Sequence, residues 1–238
     1  MRIAIIQSCY IPWKGFFDLI GRCDQYVIYD SAQFVKGHWH NRNRIKAAAG
    51  TKWLTIPVKT SGRLGQRIRD VEISEKWAEQ HWTKIKQAYR EAAYFADYAD
   101  TTRSWYEQAD ATNSLSEVNA IFISGIASLL NLTTRITSDC DYRVEGAPNE
   151  KVLAIVRNAG ADRYLSGPSA RSYIDDSMFA ASGVNVEWME YGPYKPYKQL
   201  HGDFVHEVSS IDLLFNTGPE AVHYFRPVPS LEAGTEGS

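Results

Sequence analysis

The sequence predicts an α/β protein built on a mainly parallel sheet with flanking helices. Three observations carry that expectation. A strand, a turn, a helix and a second strand fit within the first 30 residues, which is the compact opening of a parallel sheet. Short β-branched runs alternate with helical periodicity again after residue 135. The chain has 238 residues, 44% hydrophobic and 23% charged, enough to bury a substantial core in one large domain.

The elements follow in order. Arg2 to Gln7 (RIAIIQ) reads as a buried strand, Ser8 to Lys14 as a turn carrying Pro12, and Gly15 to Ile20 as a short helix. Tyr26 to Asp30 (YVIYD) is the second strand, and Val35 to Lys46 reads as a polar loop. Lys52 to Val58 and Arg67 to Ile73 read as further strands. Trp77, Trp82, Ile85, Ala88 and Tyr89 recur at helix spacing, and Leu115 to Leu132 is a second amphipathic helix capped by Ser114. Strand Arg135 to Thr137, helix Asn149 to Asn158, strand Arg163 to Leu165, helix Asp176 to Ala181 and strand Val184 to Met189 come next. Ser209 to Phe215 closes the fold as a helix ended by Asn216 and Gly218. With no repeat and no linker, the expected organisation is one domain over 1–226, a helical insertion at about 75–132 and a disordered tail over 227–238.

Bulk properties narrow the function classes. A net charge of −2, from 26 basic and 28 acidic residues, calls for neither DNA nor a membrane surface as the main partner. The apolar helix near 120–132 is broken by Ser124, Gly125 and Ser128, and the opening residues do not read as a secretory signal. Three cysteines without metal-type spacing fit a reducing cytoplasm, so a cytoplasmic location is expected. Seven Trp and fourteen Tyr exceed what a plain core requires, and such a surplus lines ligand clefts.

Most of one polar ligand site is expected within the first 46 residues, because ligands collect at the carboxyl ends of parallel strands. Those ends are Gln7 to Tyr10 and Asp30 to Gln33. The turn after the first strand, with Trp13 and Lys14 before a helix, is similar to the opening of the nucleotidylyltransferase (HUP-type) superfamily. The His-x-Gly-His of that group is missing, since Trp13-Lys14-Gly15-Phe16 stands there. The turn reads equally as a helix start packed by aromatics. Cys9, just ahead of a helix N-terminus, is a candidate nucleophile, or an inert buried thiol.

The loop His38-Trp39-His40-Asn41-Arg42-Asn43-Arg44-Ile45-Lys46 is the densest polar cluster. If extended, it points His38 and His40 the same way, for general-base work, and sets Asn41 and Asn43 opposite Arg42 and Arg44. No third and fourth ligand at a familiar spacing accompanies the histidines, so neither a metal nor another cofactor is expected. Asp30 either orients a histidine or caps the next turn, and Gln33 lies one turn on. Ser166 to Arg171 forms a small-residue turn suited to clamping an anion. The aromatic loop carrying Tyr197, Gln199 and His201 is too patterned for a linker. The expected substrate-binding set is therefore Gln7, Tyr10, Trp13, Lys14, Gln33, Asn41, Arg42, Asn43, Ser166, Arg171, Tyr197, Gln199 and His201. The expected catalytic set is Cys9, Asp30, His38 and His40.

Four of these stretches together resemble the WbqC-like protein family. Its pattern QSxYIPWKGxFD matches Gln7 to Asp18, and NRNxIK followed by WLTIPV matches Asn41 to Val58. YLSGPSA matches Tyr164 to Ala170, and SxxDLLFNxGPE matches Ser209 to Glu220. Where that pattern often has Asn or a similar polar residue, this chain has Cys9. The resemblance implies a role in surface-polysaccharide or secondary-metabolite biosynthesis. In that setting it implies transfer of an acyl or aminoacyl group, from a donor on a carrier protein or tRNA, onto an amine of an amino sugar or small metabolite. Nucleotidyl transfer or adenylation, and a non-catalytic assembly role, stand as alternatives.

Overall fold

The computed structural model describes residues 1–226. The expected tail at 227–238 lies outside the described residues. Five strands, β1 (Arg2–Ile6), β2 (Gln25–Ile28), β5 (Arg135–Ser138), β6 (Arg163–Ser166) and β7 (Asn185–Trp188), form one sheet in the order β5-β2-β1-β6-β7. Every pairing in it is parallel. The expected α/β class with a parallel sheet flanked by helices is what the structure has. Its strand–turn–helix–strand opening is compatible with the HUP-type arrangement.

Parallel strands are buried on both faces, so they need apolar residues in both registers. In β1, Ile3 and Ile5 pack into one apolar cluster and Ala4 into the other. In β2, Val27 joins the first cluster, and Tyr26 and Ile28 join the second. The smaller cluster is closed by α5 (Pro148–Asn158) and α6 (Asp176–Ala181), through Val152, Ile155, Val156 and Phe179. The larger one packs α1 (Lys14–Gly21), α2 (Ala78–Tyr89), α3 (Phe95–Asp110), α4 (Leu115–Leu129) and α7 (Ser210–Thr217) against the opposite face. A single turn, α8 (Val222–Phe225), adds Phe225 to it.

Two expectations are corrected. The stretch read as a loop up to Lys46 ends in a strand, β3 (Arg42–Ala47), which pairs antiparallel with β4 (Gly50–Thr55) as a separate two-stranded ribbon. Its period of two is real: Asn43, Ile45 and Ala47 turn inward, while Arg42 and Arg44 are only partly buried. Inward asparagines, rather than aliphatic residues, hid the strand. Arg67 to Ile73 is not a strand but a 3₁₀ turn at Ile68–Asp70, flanked by isolated bridges. Ile68 and Val71, both buried, are three apart, which suits the 3₁₀ repeat and not the alternation of a strand.

Candidate functional site

The strand order reverses between β1 and β6, and the chain leaves these neighbours in opposite directions, to β2 and to β7. Diverging connections open a crevice at the carboxyl ends of the two strands. A cleft of 420 Å³ occupies that place, between Gln7 after β1 and Ser166, Gly167 and Ser169 after β6. Tyr29, Tyr173, Tyr191 and Asn149 from the first turn of α5 close its sides. The Ser166 turn is set by Gly167 ahead of Pro168, the first residue of a 3₁₀ helix. The Ser166 carbonyl accepts from Met189 N–H at 2.8 Å, which anchors the turn to the end of β7. Asn149 donates to the Tyr173 carbonyl at 2.8 Å, fixing the far wall.

A second pocket of 280 Å³ is lined mainly by apolar and aromatic groups: Cys9, Pro12, Trp13, Phe16 and Trp39, with Asn43 and Glu207. Trp13 borders this pocket and Tyr191 borders the cleft, and their rings lie 5.5 Å apart. One aromatic pair therefore lies between a cleft of mixed lining, with Gln7, Asn149, Ser166 and Ser169 among apolar and aromatic groups, and a smaller, more apolar pocket.

Asn43 and Ile11 explain how the turn forming this wall is held. Ile11 has φ +37°, costly for a β-branched residue. Asn43 Nδ2 donates to the Tyr10 and Ile11 carbonyls at 3.1 and 2.9 Å, and its Oδ1 accepts from Arg44 N–H. Its hydrogen-bonding groups are engaged by protein. Asn41 Nδ2 likewise donates to the Ile56 carbonyl at 2.9 Å, joining the ribbon to the chain that follows it. The two asparagines do share a face, turned inward to brace backbone.

Asp30 is buried and accepts from Ser8 N–H at 2.9 Å, from the Ser8 hydroxyl at 2.8 Å and from the Ser116 hydroxyl. Burial raises its carboxyl above the ordinary range, against the lowering effect of the donated bonds. It does not bond a histidine. His40 Nδ1 instead meets the Ser8 carbonyl at 3.1 Å, an acceptor that requires the proton on Nδ1. Its Nε2 is enclosed and finds no partner. The His38 ring lies 4.7 Å from it, and burial lowers the pKa of both imidazoles, keeping them neutral near pH 7. Burial, with a contribution from Asp30, pushes the Cys9 thiol up to about 12, so it stays protonated.

The remaining expected residues disperse. Tyr10 is enclosed in the core, its hydroxyl between His81 at 2.9 Å and Tyr106 at 2.7 Å. Lys14 is buried with its ammonium 5.1 to 5.3 Å from the rings of Tyr194, Tyr197 and Phe204, and burial lowers its pKa to about 8. Tyr197 and Gln199 donate to buried Asp212 at 2.7 and 2.8 Å, and Lys46 donates to Gln199. His201 Nε2 sits 2.8 Å from the Ala88 carbonyl. Through Lys14, Lys46, Asp212 and the Ala88 carbonyl, the 194–205 segment is held onto α1, β3, α7 and α2. Arg171 lies over Trp188, and exposed Gln33 bridges to Arg67, so neither lines the cleft. Of the expected set, Gln7 and Ser166 line the cleft, while Cys9, Trp13 and Asn43 line the pocket. Tyr29, Asn149, Tyr173, Tyr191 and Glu207 carry no motif that marks them in the sequence, although Asn149 opens the helix expected over Asn149 to Asn158.

Among the described residues no group of three His, Cys, Asp or Glu side chains is gathered to hold a metal ion. No helix among them is long and apolar enough to cross a membrane.

The model of the WbqC-like protein family matches residues 7–224. The chain belongs to the WbqC-like protein family. This WbqC-like chain is also 43% identical over 226 residues to the uncharacterized protein Rv1507c of Mycobacterium tuberculosis, covering 94% of this chain and 97% of that one. No solved structure matches it significantly.

Proposed function

We propose that this WbqC-like protein is a transferase that moves an acyl or aminoacyl group onto an amine of an amino sugar or another small polar metabolite. The observation that carries the reading is the Trp13–Tyr191 contact, with a cleft that holds Gln7, Asn149, Ser166 and Ser169 on one side and a smaller, more apolar pocket on the other. A two-substrate reaction needs its reacting atoms held together, and two cavities that meet at one edge can do that. The cleft takes the polar acceptor, and the pocket takes the acyl group.

Direct attack fits the chemistry of the pocket better than a thioester on the enzyme. Cys9 is held as a neutral thiol, and a thiolate is the reactive form. The acceptor amine attacks the donor carbonyl, a C–N bond forms, and the bond from the acyl carbon to the donor's sulfur or oxygen breaks. The proton released from the amine nitrogen passes to Glu207, the carboxylate lining the pocket, and then to the departing thiol or hydroxyl. His38 and His40 do not line the pocket and are not needed for that transfer.

A second reading, nucleotidyl transfer or adenylation, is favoured by the position of the cleft at the strand-order reversal. One experiment separates the two. The purified protein is incubated with nucleotide-linked amino sugars, and with thioester or aminoacyl donors or with ATP, and products are read by mass spectrometry. An acceptor gaining the acyl mass supports acyl transfer, and pyrophosphate release without it supports adenylation. Absence of both, with no ligand-induced rise in melting temperature, refutes a catalytic role for the cleft.

A further inference from the structure

The outer face of the β3–β4 ribbon carries a group of side chains that neither the core nor the acceptor cleft uses. Trp39 and Trp53 are 37% and 42% exposed, and their rings are centred 5.4 Å apart, inclined by 31°. The Arg42 guanidinium stacks on Trp53 at 3.9 Å. That of Arg44 lies 5.5 Å from Trp53 and 5.8 Å from Trp39. Strand alternation explains the grouping: Arg42 and Arg44 point away from the inward Asn43 and Ile45, and Arg44 is registered directly opposite Trp53.

This ladder is not stabilised by the usual partners of its charges. Among the described residues, neither Arg42 nor Arg44 has a carboxylate within 4.0 Å. The Nε atom of each is enclosed and donates to no acceptor. Two half-exposed indoles side by side, together with enclosed guanidinium Nε donors that lack an acceptor, mark a surface suited to meet a ligand. Trp39 belongs to two places at once, because it also lines the pocket of Cys9 and Trp13. The ladder is therefore a track from the protein surface to the mouth of the apolar pocket.

We propose that the ladder binds the phosphorylated nucleoside portion of the acyl donor and so delivers the acyl end to that pocket. Indole faces stack on nucleobases whatever the base, and guanidinium forks pair with phosphate oxygens. Two donor sources share this chemistry: a coenzyme A thioester, and the 3′ end of an aminoacyl-tRNA. An acidic carrier protein would use the arginines without needing the indoles. The proposal rests on the transferase reading, whose donor it names.

Calorimetric titration of coenzyme A, and separately of a short RNA ending in CCA, into wild type, Trp53→Ala and Arg42→Gln tests it. Both substitutions are on a solvated face, and an unchanged melting temperature checks that each variant folds. One of the two probes should bind wild type, weaken about tenfold in each variant, and weaken again when salt rises. The probe that binds identifies the source. Binding of neither probe, binding insensitive to both substitutions, or loss in Arg42→Gln alone overturns the proposal. The transferase reading fails differently. Turnover of an N-acetylcysteamine thioester, a donor with no nucleoside, would be absent in wild type and variants alike.

Discussion

Removing the Asp30 carboxylate tests whether it acts as a brace rather than as the partner of a catalytic histidine. Asp30→Ala orphans the Ser8 N–H, which is fixed in a buried backbone and has nowhere else to donate. Leaving such a donor unpaired costs about 1–3 kcal/mol. The Ser8 hydroxyl loses its acceptor while still accepting from Asn119 at 2.9 Å. The Ser116 hydroxyl is only partly buried, so water can replace the carboxylate there. The expected cost of Asp30→Ala is therefore about 3 kcal/mol. Asp30→Asn keeps a carbonyl for the Ser8 N–H and places an amide N–H near hydroxyls that can turn to accept, so it should cost only about 1 kcal/mol. The pH dependence adds a second check. Burial raises the folded pKa of Asp30, so its contribution is fullest below the unfolded value near 3.9 and is lost as pH rises through the folded one. Asn cannot ionise, so the gap between wild type and Asp30→Asn should be largest in acid and narrow toward pH 7. Urea denaturation at a series of pH values, with equal m-values, reads both quantities. An Asp30→Ala cost below about 1 kcal/mol, or a gap that widens as pH rises, would refute the brace.

Other outcomes follow from the same geometry. A Cβ at Gly167 meets only the Tyr191 hydroxyl at 3.9 Å, and its φ is −69°, so Gly167→Leu should fold normally yet fill the cleft and abolish acceptor binding; retained binding by calorimetry would place the acceptor elsewhere. Cys9→Ala should keep turnover within a few-fold of wild type, and loss of turnover with normal melting would reinstate a covalent thioester. Glu207→Gln should lower kcat far more than KM, whereas unchanged kcat would return the base role to His38 or His40. Burial lowers the His81 imidazole from 6.5 to about 4, so neutral His81 contributes stability above pH 6.5 that is lost on acidification, about 2 kcal/mol by pH 5. His81→Gln should flatten that limb of the stability profile, and a profile unchanged from wild type would contradict it.

The sheet could be read from the chain because both of its registers are apolar, as RIAII and YVI show. Its strand order could not, since the pairing of β1 with β6 joins residues that are about 160 apart and leaves no local trace. The first strand of the ribbon, β3, was hidden for a physical reason. Asn43 occupies an inward strand position that normally carries an aliphatic residue, and Asn41 is buried just before the strand, because their Nδ2 groups donate to the backbone of Tyr10, Ile11 and Ile56. The motif was thus recognisable as important, while the backbone bracing done by its two asparagines was not. Lys14 and Gln199 are similar, since the rings and the Asp212 carboxylate that engage them come from distant segments. Gln7 and Ser166 were visible because they stand at strand ends, where a parallel sheet presents its ligands, and Trp13 because it opens the helix that follows the first of those strands.

The Trp13–Tyr191 pair has a consequence for how ligands in the two cavities would influence each other. Tyr191 is exposed and sits beyond the last strand, whereas Trp13 is fixed at the head of α1. A ligand that displaced Tyr191 from the cleft side would change the shape offered on the far side of the indole, and a ligand that displaced Trp13 would do the reverse. Thermodynamic linkage makes that influence equal in both directions: whatever factor the first ligand imposes on the affinity of the second, the second imposes on the first. Two aromatic rings in contact can thus act as a partition that makes each cavity register whether the other is filled.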